Sequence, residues 1–333
     1  MDPISQGVTG AALAAGFATP KQTRPALVAG AVGGMIADLD TLIRSDADPL
    51  LLLDFHRHFS HALIFIPIGG LIAALLLWPL LRRRLAFRQL ALFTTLGYAT
   101  AGLLDACTSY GTHLLWPFSD ARIAWNVVSI VDPLYTLPML VLVIWAARQT
   151  RPALARAALV FGLAWLALGW VQRERAEAVQ VALAAERGHR IERAEVKPTL
   201  GNQLLWRSIY RSGGRYYVDA VRVGIGSRTY PGASVAVLEP DRDVPELPAG
   251  SVQSADVRRF DHFSAGWLAR APQRADVIGD LRYAMLPTSV DPLWGIVIDP
   301  ANAERHVRFE NFRTLGQDGK AAFLAMLSGR DLP

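Results

Sequence analysis

The stretch DLDTLIRSDADPLLLLDFHRHFSH, residues 38–61, contains five aspartates and three histidines and lies between two long apolar segments. Carboxylate oxygens and imidazole nitrogens are ligands that zinc and manganese take in proteins. A solvated loop, a set of helix caps and a metal site are the three explanations for such a cluster. The positions of the other acidic residues help to decide between them.

More aspartates stand at the ends of later apolar runs. Asp105 ends the run 89–104, and Asp132 precedes Pro133 at the start of the next run. Four predicted helix ends thus bring Asp or His to one face of a helical bundle, and metal sites are commonly built between the helices of bundles. An anion at a helix C-terminus opposes the helix dipole unless a cation lies nearby. The sequence therefore predicts one metal site with the ligands Asp38, Asp40, His56, His61 and Asp105.

Some residues of this region have two explanations each. Asp132, just before a proline, is either a helix N-cap or a general base. Asp40 is a ligand and, where it is not fully engaged with metal, a candidate general base. Arg57, beside two candidate ligands, either holds a substrate phosphate or anchors lipid headgroups. His58 and His113 are weaker candidates for ligands.

The elements that must position these residues are long uncharged runs. Residues 62–81 are long enough to span a hydrocarbon core of roughly 30 Å as one helix. Shorter runs cover residues 3–20, 25–37, 89–104, 133–147 and 157–172. Buried helices of a soluble protein are the alternative, and so many successive runs argue against it. The pattern predicts a membrane all-α helical bundle over residues 1–172.

The second half of the chain has a different composition. Every acidic residue before Glu174 is an aspartate, and from there glutamate and both signs of charge become frequent. The run LLWRSIYRSGGRYYVDAVRVGIG reads as a β-hairpin that turns at residues 212–214, and GKAAFLAML as a closing helix. We therefore expect a soluble α+β domain over residues 173–333.

The basic residues indicate how the bundle is oriented. Arginines and lysines fall in short connections on one side, whereas the Asp/His side has few of them. The positive-inside rule then places the Asp/His cluster and the C-terminal domain on the extracytoplasmic, periplasmic side. The sequence pI of about 9.6 reflects these membrane-edge arginines, so membrane lipid is a better partner than nucleic acid. With Cys107 as the single cysteine, an intrachain disulfide is excluded.

Four motifs carry a resemblance: ADLD, then HRHFSH, then LLDACTSYGTHLLWPFSD, then VDPL. In spacing they resemble the YdjM-type family of bacterial inner-membrane metal-dependent hydrolases, over about residues 1–145. That family is grouped at a distance with zinc-dependent phospholipases C and single-strand nucleases. The resemblance implies a phospholipase C/nuclease-like helical core in a multi-pass inner membrane protein. It also implies a zinc or manganese centre and puts Asp38, Asp40, His56, His61 and Asp105 at ligand-like positions, with Asp132 at the DP position.

Two departures from the family pattern bear on activity. Gln6 and Ala101 stand where family members often have histidine. Our expectation is a membrane-bound, metal-dependent hydrolase that acts on an amphiphilic phosphoester or lipid-like substrate. The alternative is a non-catalytic membrane protein whose Asp/His cluster binds metal structurally or scaffolds partners, and Ala101 favours it. A transporter would need ionisable residues within its spans, and these spans have essentially none.

Overall fold

A computed structural model describes residues 1–332 of the chain, which form two compact units. The first, here the helical unit, consists of Met1–Ile43, Phe55–Val171 and Leu200–Gln203. The second, here the sheet unit, consists of Arg44–Asp54, Gln172–Thr199 and the chain from Leu204 onward. The division at Val171 and Gln172 lies next to the sequence-based boundary. The packing of residues 44–54 with the second unit was not predicted from the sequence.

The helical unit is built from α-helices joined by short connections. Its helices are α1 (Pro3–Gly16), α2 (Thr23–Ile36), α4 (Ile66–Leu81), α5 (Phe87–Ala106), α6 (Pro133–Gln149) and the first half of α7 (Pro152–Glu186). The short helix α3 (Leu51–Phe55) contains a division of the chain: its residues up to Asp54 belong to the sheet unit and Phe55 belongs to the helical unit. Three 3-10 turns, Ala37–Leu42, Phe59–His61 and Leu63–Phe65, connect the helices near the predicted site.

Three segments are long and apolar enough to cross a membrane: Pro20–Leu42, Leu63–Leu81 and Pro152–Glu186. The second has a mean hydropathy of 2.3 and only 28 % of it is buried within the protein. Leu75, Leu76 and Leu80 are exposed on α4. A helix that presents leucine outward in this way suits a hydrocarbon environment.

Helices α1, α2 and α5 approach one another at glycines. A Cβ added to Gly10 would lie 2.4 Å from the carbonyl oxygen of Gly30, and one added to Gly97 would lie 2.2 Å from that same oxygen. A Cβ on Gly33 would meet the carbonyl oxygen of Thr94 at 2.3 Å. Small residues allow backbones to pack this closely in membrane helices. This glycine seam, Gly10, Gly30, Gly33 and Gly97, therefore fixes the helices whose ends carry the predicted ligands.

The sheet unit contains two four-stranded antiparallel sheets, each with its strands in sequence order. The first comprises β1 (Arg193–Pro198), β2 (Leu205–Ser212), β3 (Arg215–Val223) and β4 (Ser227–Ala236). The second comprises β5 (Leu268–Ala271), β6 (Arg274–Asp280), β7 (Trp294–Val297) and β8 (Arg308–Asn311). The helices α8 (Pro240–Asp243), α9 (Val252–Phe263) and α10 (Gln317–Ser328) complete the unit. The C-terminal domain is thus α+β, as predicted.

The second half of α7 is part of the sheet unit. Ala176 packs in one apolar cluster with Val196 and Trp206, and Gln180 Nε2 donates to Ser208 Oγ at 2.8 Å. These contacts bury one face of α7 on the first sheet. The sheet unit therefore includes the helix that leads into it.

The segment 44–54 is held in the sheet unit by an arginine. Arg259 on α9 forms ion pairs with Asp48 at 2.9 Å and with Asp54 at 2.6 Å. It also pairs with the buried Asp256 one turn earlier on its own helix. Three carboxylates around one guanidinium explain why this loop belongs with α9.

Candidate metal centre

Four of the five predicted ligands come from three separate elements of the helical unit. Asp38 and Asp40 lie on the 3-10 turn Ala37–Leu42 that continues α2, and His61 ends the turn Phe59–His61. Asp105 lies in the last turn of α5. A Cβ on Gly102 would lie 2.2 Å from the carbonyl oxygen of His61, so only glycine lets the histidine turn lie this close to α5.

His61 is at the centre of this group. Its side chain is fully buried, and its Nε2 atom lies 3.3 Å from Asp38 Oδ1 and 3.1 Å from Asp105 Oδ2. Within residues 1–332, these two carboxylates are ion-pair partners of Nε2, and no well-aligned hydrogen bond is formed. On the other side of the ring, Nδ1 lies 3.1 Å from Asp40 Oδ2 and 3.0 Å from Ser60 Oγ. The ring is therefore held through Nδ1, and Nε2 points at two carboxylates.

Asp40 organises the residues around it. Its Oδ2 accepts hydrogen bonds from Ser60 Oγ at 2.7 Å and from the backbone N–H of Arg57 at 2.9 Å. Its Oδ1 lies 2.8 Å from His56 Nδ1. Burial lowers the pKa of His56 below its ordinary value, and the hydrogen bond to Asp40 opposes that shift. Asp40 thus orients both histidines, as carboxylates commonly do for metal-ligating histidines.

Two overlapping sets of side chains can hold a metal ion here. One is Asp38, His61 and Asp105, and the other is Asp38, Asp40 and His56, each with its ligand atoms within 4.8 Å of one another. Bonds of about 2.0–2.2 Å to one ion put its ligands about 2.8–3.6 Å apart at tetrahedral or octahedral angles. The contacts of His61 Nε2 at 3.1 and 3.3 Å fall in this range. The donor atoms of the first set therefore fit a divalent cation.

The guanidinium of Arg57 places a positive charge beside Asp105. Arg57 Nε lies 3.1 Å from Asp105 Oδ2, and its Nη1 donates to Thr108 Oγ1 at 3.0 Å. The α-amino group of Met1 contacts the other oxygen of Asp105. Arg57 is buried and has a left-handed φ of 61°, a conformation that costs energy for a residue other than glycine. The N–H of Arg57 is directed at Asp40 and its guanidinium at Asp105.

The two departures from the family pattern have different surroundings. Gln6 on α1 is fully buried beside the site, with Nε2 3.5 Å from Asp38 Oδ1, and its Oε1 makes no hydrogen bond. Ala101 is also buried, but it packs in an apolar cluster with Ala37 and Tyr98. Gln6 can therefore contribute an oxygen to the site, whereas the position of Ala101 is filled by packing.

Asp132 has the contacts of a helix cap. Its Oδ1 accepts from the backbone N–H groups of Leu134 at 3.0 Å and Tyr135 at 3.2 Å, at the start of α6. Its Oδ2 accepts from Trp165 Nε1 at 3.0 Å. Among residues 1–332, neither group of candidate ligands around His61 includes Asp132. Both oxygens have structural partners, so the cap explanation accounts for this residue, and its role as a base stays a prediction.

Other acidic and histidine side chains have separate surroundings. His58 and His113 pack ring against ring, 4.7 Å between centroids, and Trp116 lies beside His58. Asp48, Asp256 and His306 also lie close together in the sheet unit, where the guanidinium of Arg259 pairs with both carboxylates. The hydrogen bond from Ser60 to Asp40 was not predicted from the sequence. The available signal was a serine directly before a histidine that was itself a candidate ligand.

A comparison with known families bears on identity. Residues 1–176, more than half of the chain, match the YdjM inner membrane protein family. The chain belongs to that family. Membership makes this a YdjM-family inner membrane protein, in agreement with its three candidate spans, and it confirms the resemblance seen in the motifs. No curated protein and no solved structure matches the chain significantly.

Proposed function

We propose that this YdjM-family protein is a membrane-bound, metal-dependent hydrolase whose centre is formed by Asp38, His61 and Asp105. The substrate class that we propose is a phosphoester or lipid-like molecule at the membrane surface. The proposal includes a multi-pass arrangement with the centre on the periplasmic side and a phospholipase C/nuclease-like helical core. The distribution of basic residues supports the orientation, and the motif resemblance supports the helical core.

The observation that carries the proposal is the environment of His61 Nε2. Nδ1 lies within hydrogen-bond distance of Asp40 and Ser60. When the ring carries its proton on Nδ1, Nε2 presents a lone pair to two carboxylates. Such an arrangement is repulsive unless Nε2 is protonated or a cation lies between the groups. Asp38, Asp40 and Asp105 bring three carboxylates to this buried place against the single guanidinium of Arg57, so a divalent cation balances the remaining negative charge better than a single proton does.

The side chains have distinct tasks in this proposal. When bound, a zinc or manganese ion supplies a Lewis acid that polarises a phosphoryl oxygen and lowers the pKa of a water. Asp40 and Ser60 fix the ring plane of His61, and Arg57 holds Asp105 through its guanidinium. Arg57 is thereby a positioning residue, and the contact with Asp105 competes with the predicted contact to a substrate phosphate.

The second ligand set suggests a binuclear centre. Asp38 is common to both sets, so Asp38, Asp40 and His56 could hold a second ion beside the one held by Asp38, His61 and Asp105. His56 and Asp40 would complete the second position. The contacts of Asp40 with four neighbouring groups argue for an orienting role, and its role as general base stays a prediction.

A non-catalytic centre is the second candidate function. It is favoured by the packing of Ala101 in an apolar cluster, at a position where the motif resemblance leads us to expect histidine. A centre with one ligand fewer can hold a metal for structural reasons alone. Metal content and hydrolysis must therefore be measured separately.

The deciding experiment is metal analysis of the purified full-length protein. We expect one or two equivalents of zinc or manganese in the wild type and a loss of at least one equivalent in His61→Ala. His262→Ala is the matched control, because His262 is an exposed histidine of α9. His56→Ala should lower the content from two to one if the centre is binuclear. A wild type that binds no divalent metal would exclude both candidate functions.

Activity is then tested with phosphodiester and phospholipid substrates in detergent or liposomes. Hydrolysis that requires metal and is lost in His61→Ala would support the enzyme. Metal binding without hydrolysis across these substrate classes would favour the structural centre.

A further inference from the structure

The turn between β3 and β4 carries an apolar side chain that the sheet unit does not cover. Ile225 stands between Gly224 and Gly226 and is fully exposed, at 108 % of its reference surface. Turns normally use glycine, proline, asparagine, aspartate or serine, each for a conformational reason. A β-branched apolar residue at the tip has no such conformational reason, so the turn presents an apolar surface to whatever adjoins it.

Contacts with α7 show where along that helix the turn lies. Gln172 Nε2 donates to the carbonyl oxygen of Val223 at 2.9 Å. Arg175 Nη2 donates to the carbonyl oxygens of Gly224 at 2.6 Å and Ile225 at 3.4 Å. The turn is therefore held beside residues 172–175 of α7.

This part of α7 follows the apolar part of a candidate membrane span. Apolar side chains are exposed along the preceding turns, at Val160, Leu163, Leu168, Trp170 and Val171. Arg173 and Arg175 come next. Tryptophan followed by arginine is typical of the boundary between hydrocarbon and headgroups. At about 1.5 Å per residue, Trp170 and Arg175 are about 7–8 Å apart along the helix axis, which is within one interfacial layer.

We propose that the β3–β4 turn inserts into the headgroup region of the bilayer with Ile225 as its apolar anchor. The occupant of this surface is lipid, because the turn is tied to the helix at the level where the helix leaves the hydrocarbon. Arg175 assists by fixing the two carbonyl oxygens of the turn and by presenting positive charge to lipid phosphates. The anchor is independent of the metal centre.

The test uses the full-length protein in liposomes of phosphatidylcholine and phosphatidylglycerol. Ile225→Cys is labelled with an environment-sensitive fluorophore and compared with Ala236→Cys. Ala236 is exposed at the far end of β4, opposite Arg215, about 30 Å along the strand from the turn. The wild type controls for background, since its single cysteine, Cys107, is buried.

We expect blue-shifted emission at position 225, with most of its fluorescence lost to lipids that carry a shallow spin label and little lost to aqueous iodide. Position 236 should show the reverse. The proposal is overturned if both positions respond alike to iodide and neither responds to labelled lipid. It is equally overturned if position 225 is shielded from iodide but insensitive to labelled lipid, because a protein would then cover the turn.

Discussion

His61 and Asp132 are two buried polar residues of similar sequence context that have different kinds of partner in the structure. Both lie beside apolar helices, and both were candidates for the site. Asp132 has a structural partner for each of its oxygens, whereas within residues 1–332 His61 has a ring nitrogen without a well-aligned hydrogen bond that faces two carboxylates. Buried polar groups normally find partners, so the exception is the better pointer to a ligand.

The cap role of Asp132 leads to a prediction. Asp132→Asn keeps an oxygen that can accept from the first turn of α6, so metal content and any hydrolysis should remain near wild type. Asp132→Ala removes the cap and should destabilise the protein by about 1–2 kcal/mol. Thermal unfolding in detergent and metal analysis measure the two effects. A loss of hydrolysis in Asp132→Asn at unchanged stability would instead identify Asp132 as the base.

At the scale of elements, the glycine seam determines whether the ligands can meet. Asp38 follows α2 and Asp105 ends α5, and the two helices touch through backbone atoms at Gly30 and Gly97. Asp105 lies eight residues beyond Gly97, about 12 Å along the helix. Any change that moves these helices apart must therefore also separate the side chains of the candidate metal centre.

Gly97→Ala tests this coupling. The added Cβ would lie 2.2 Å from the carbonyl oxygen of Gly30, so we expect a destabilisation of about 1–3 kcal/mol and a lower metal content. Gly16→Ala is the matched control, because its Cβ would make ordinary contact with Leu159 Cδ1 at 3.4 Å. Thermal unfolding and metal analysis of both variants are the measurements. If the two variants had the same thermal stability and the same metal content, the glycine seam would not control the geometry of the candidate centre.

A buried lysine on β1 gives a prediction for pH. Burial lowers the pKa of Lys197 to about 8, although the negative charge of Glu195 acts to raise it. Between about pH 8 and pH 10.5 the folded chain holds this lysine neutral while the unfolded chain keeps it charged. The unfolded state then binds more protons, so the stability of the sheet unit should rise with pH across this window, by about 3 kcal/mol in all.

Lys197→Met should remove that rise, whereas Lys320→Met, at an exposed position of α10, should preserve it. The measurement is denaturant titration at several pH values, followed by near-UV circular dichroism, to which the buried Trp206 and Trp267 of the sheet unit contribute. A slope that survives in Lys197→Met would assign the effect to another group.

The sequence predicted some elements well and missed others for physical reasons. The hairpin of β2 and β3 turns at Gly213 and Gly214 as expected, and both glycines have positive φ, a conformation that L-residues rarely adopt. The closing helix α10 was also found from its apolar pattern. The strands β5 and β8 were not, because each has only four residues and little alternation.

The site was predicted in composition but not in its internal roles. Spacing and residue type identify aspartates and histidines that can meet at helix ends. They do not show that Asp40 orients two histidines or that Gly102 admits the turn of His61, since both depend on distances across the fold. The sequence placed Arg57 beside the predicted ligands, but its contact with Asp105 depends on the fold.

At the scale of the whole molecule, the orientation in the membrane is the main prediction. Basic residues cluster in the connections around Lys21, Arg83 and Arg151, which by the positive-inside rule face the cytoplasm. A reporter that is active only outside the cytoplasm should be active when fused at the C-terminus and inactive when fused at Arg84. The reverse pattern would move the metal centre to the cytoplasmic face.

The assignment of residues 44–54 to the sheet unit has a consequence for genetics. A nonsense mutation after Val171 would spare every candidate ligand, yet it would remove Arg259, the partner of Asp48 and Asp54 in the segment that joins Asp40 to His56. Such an allele would leave the segment between Asp40 and His56 without this ion-pair partner although every candidate ligand is still encoded. Complementation by two separately expressed halves would likewise have to restore that ion pair between different polypeptides.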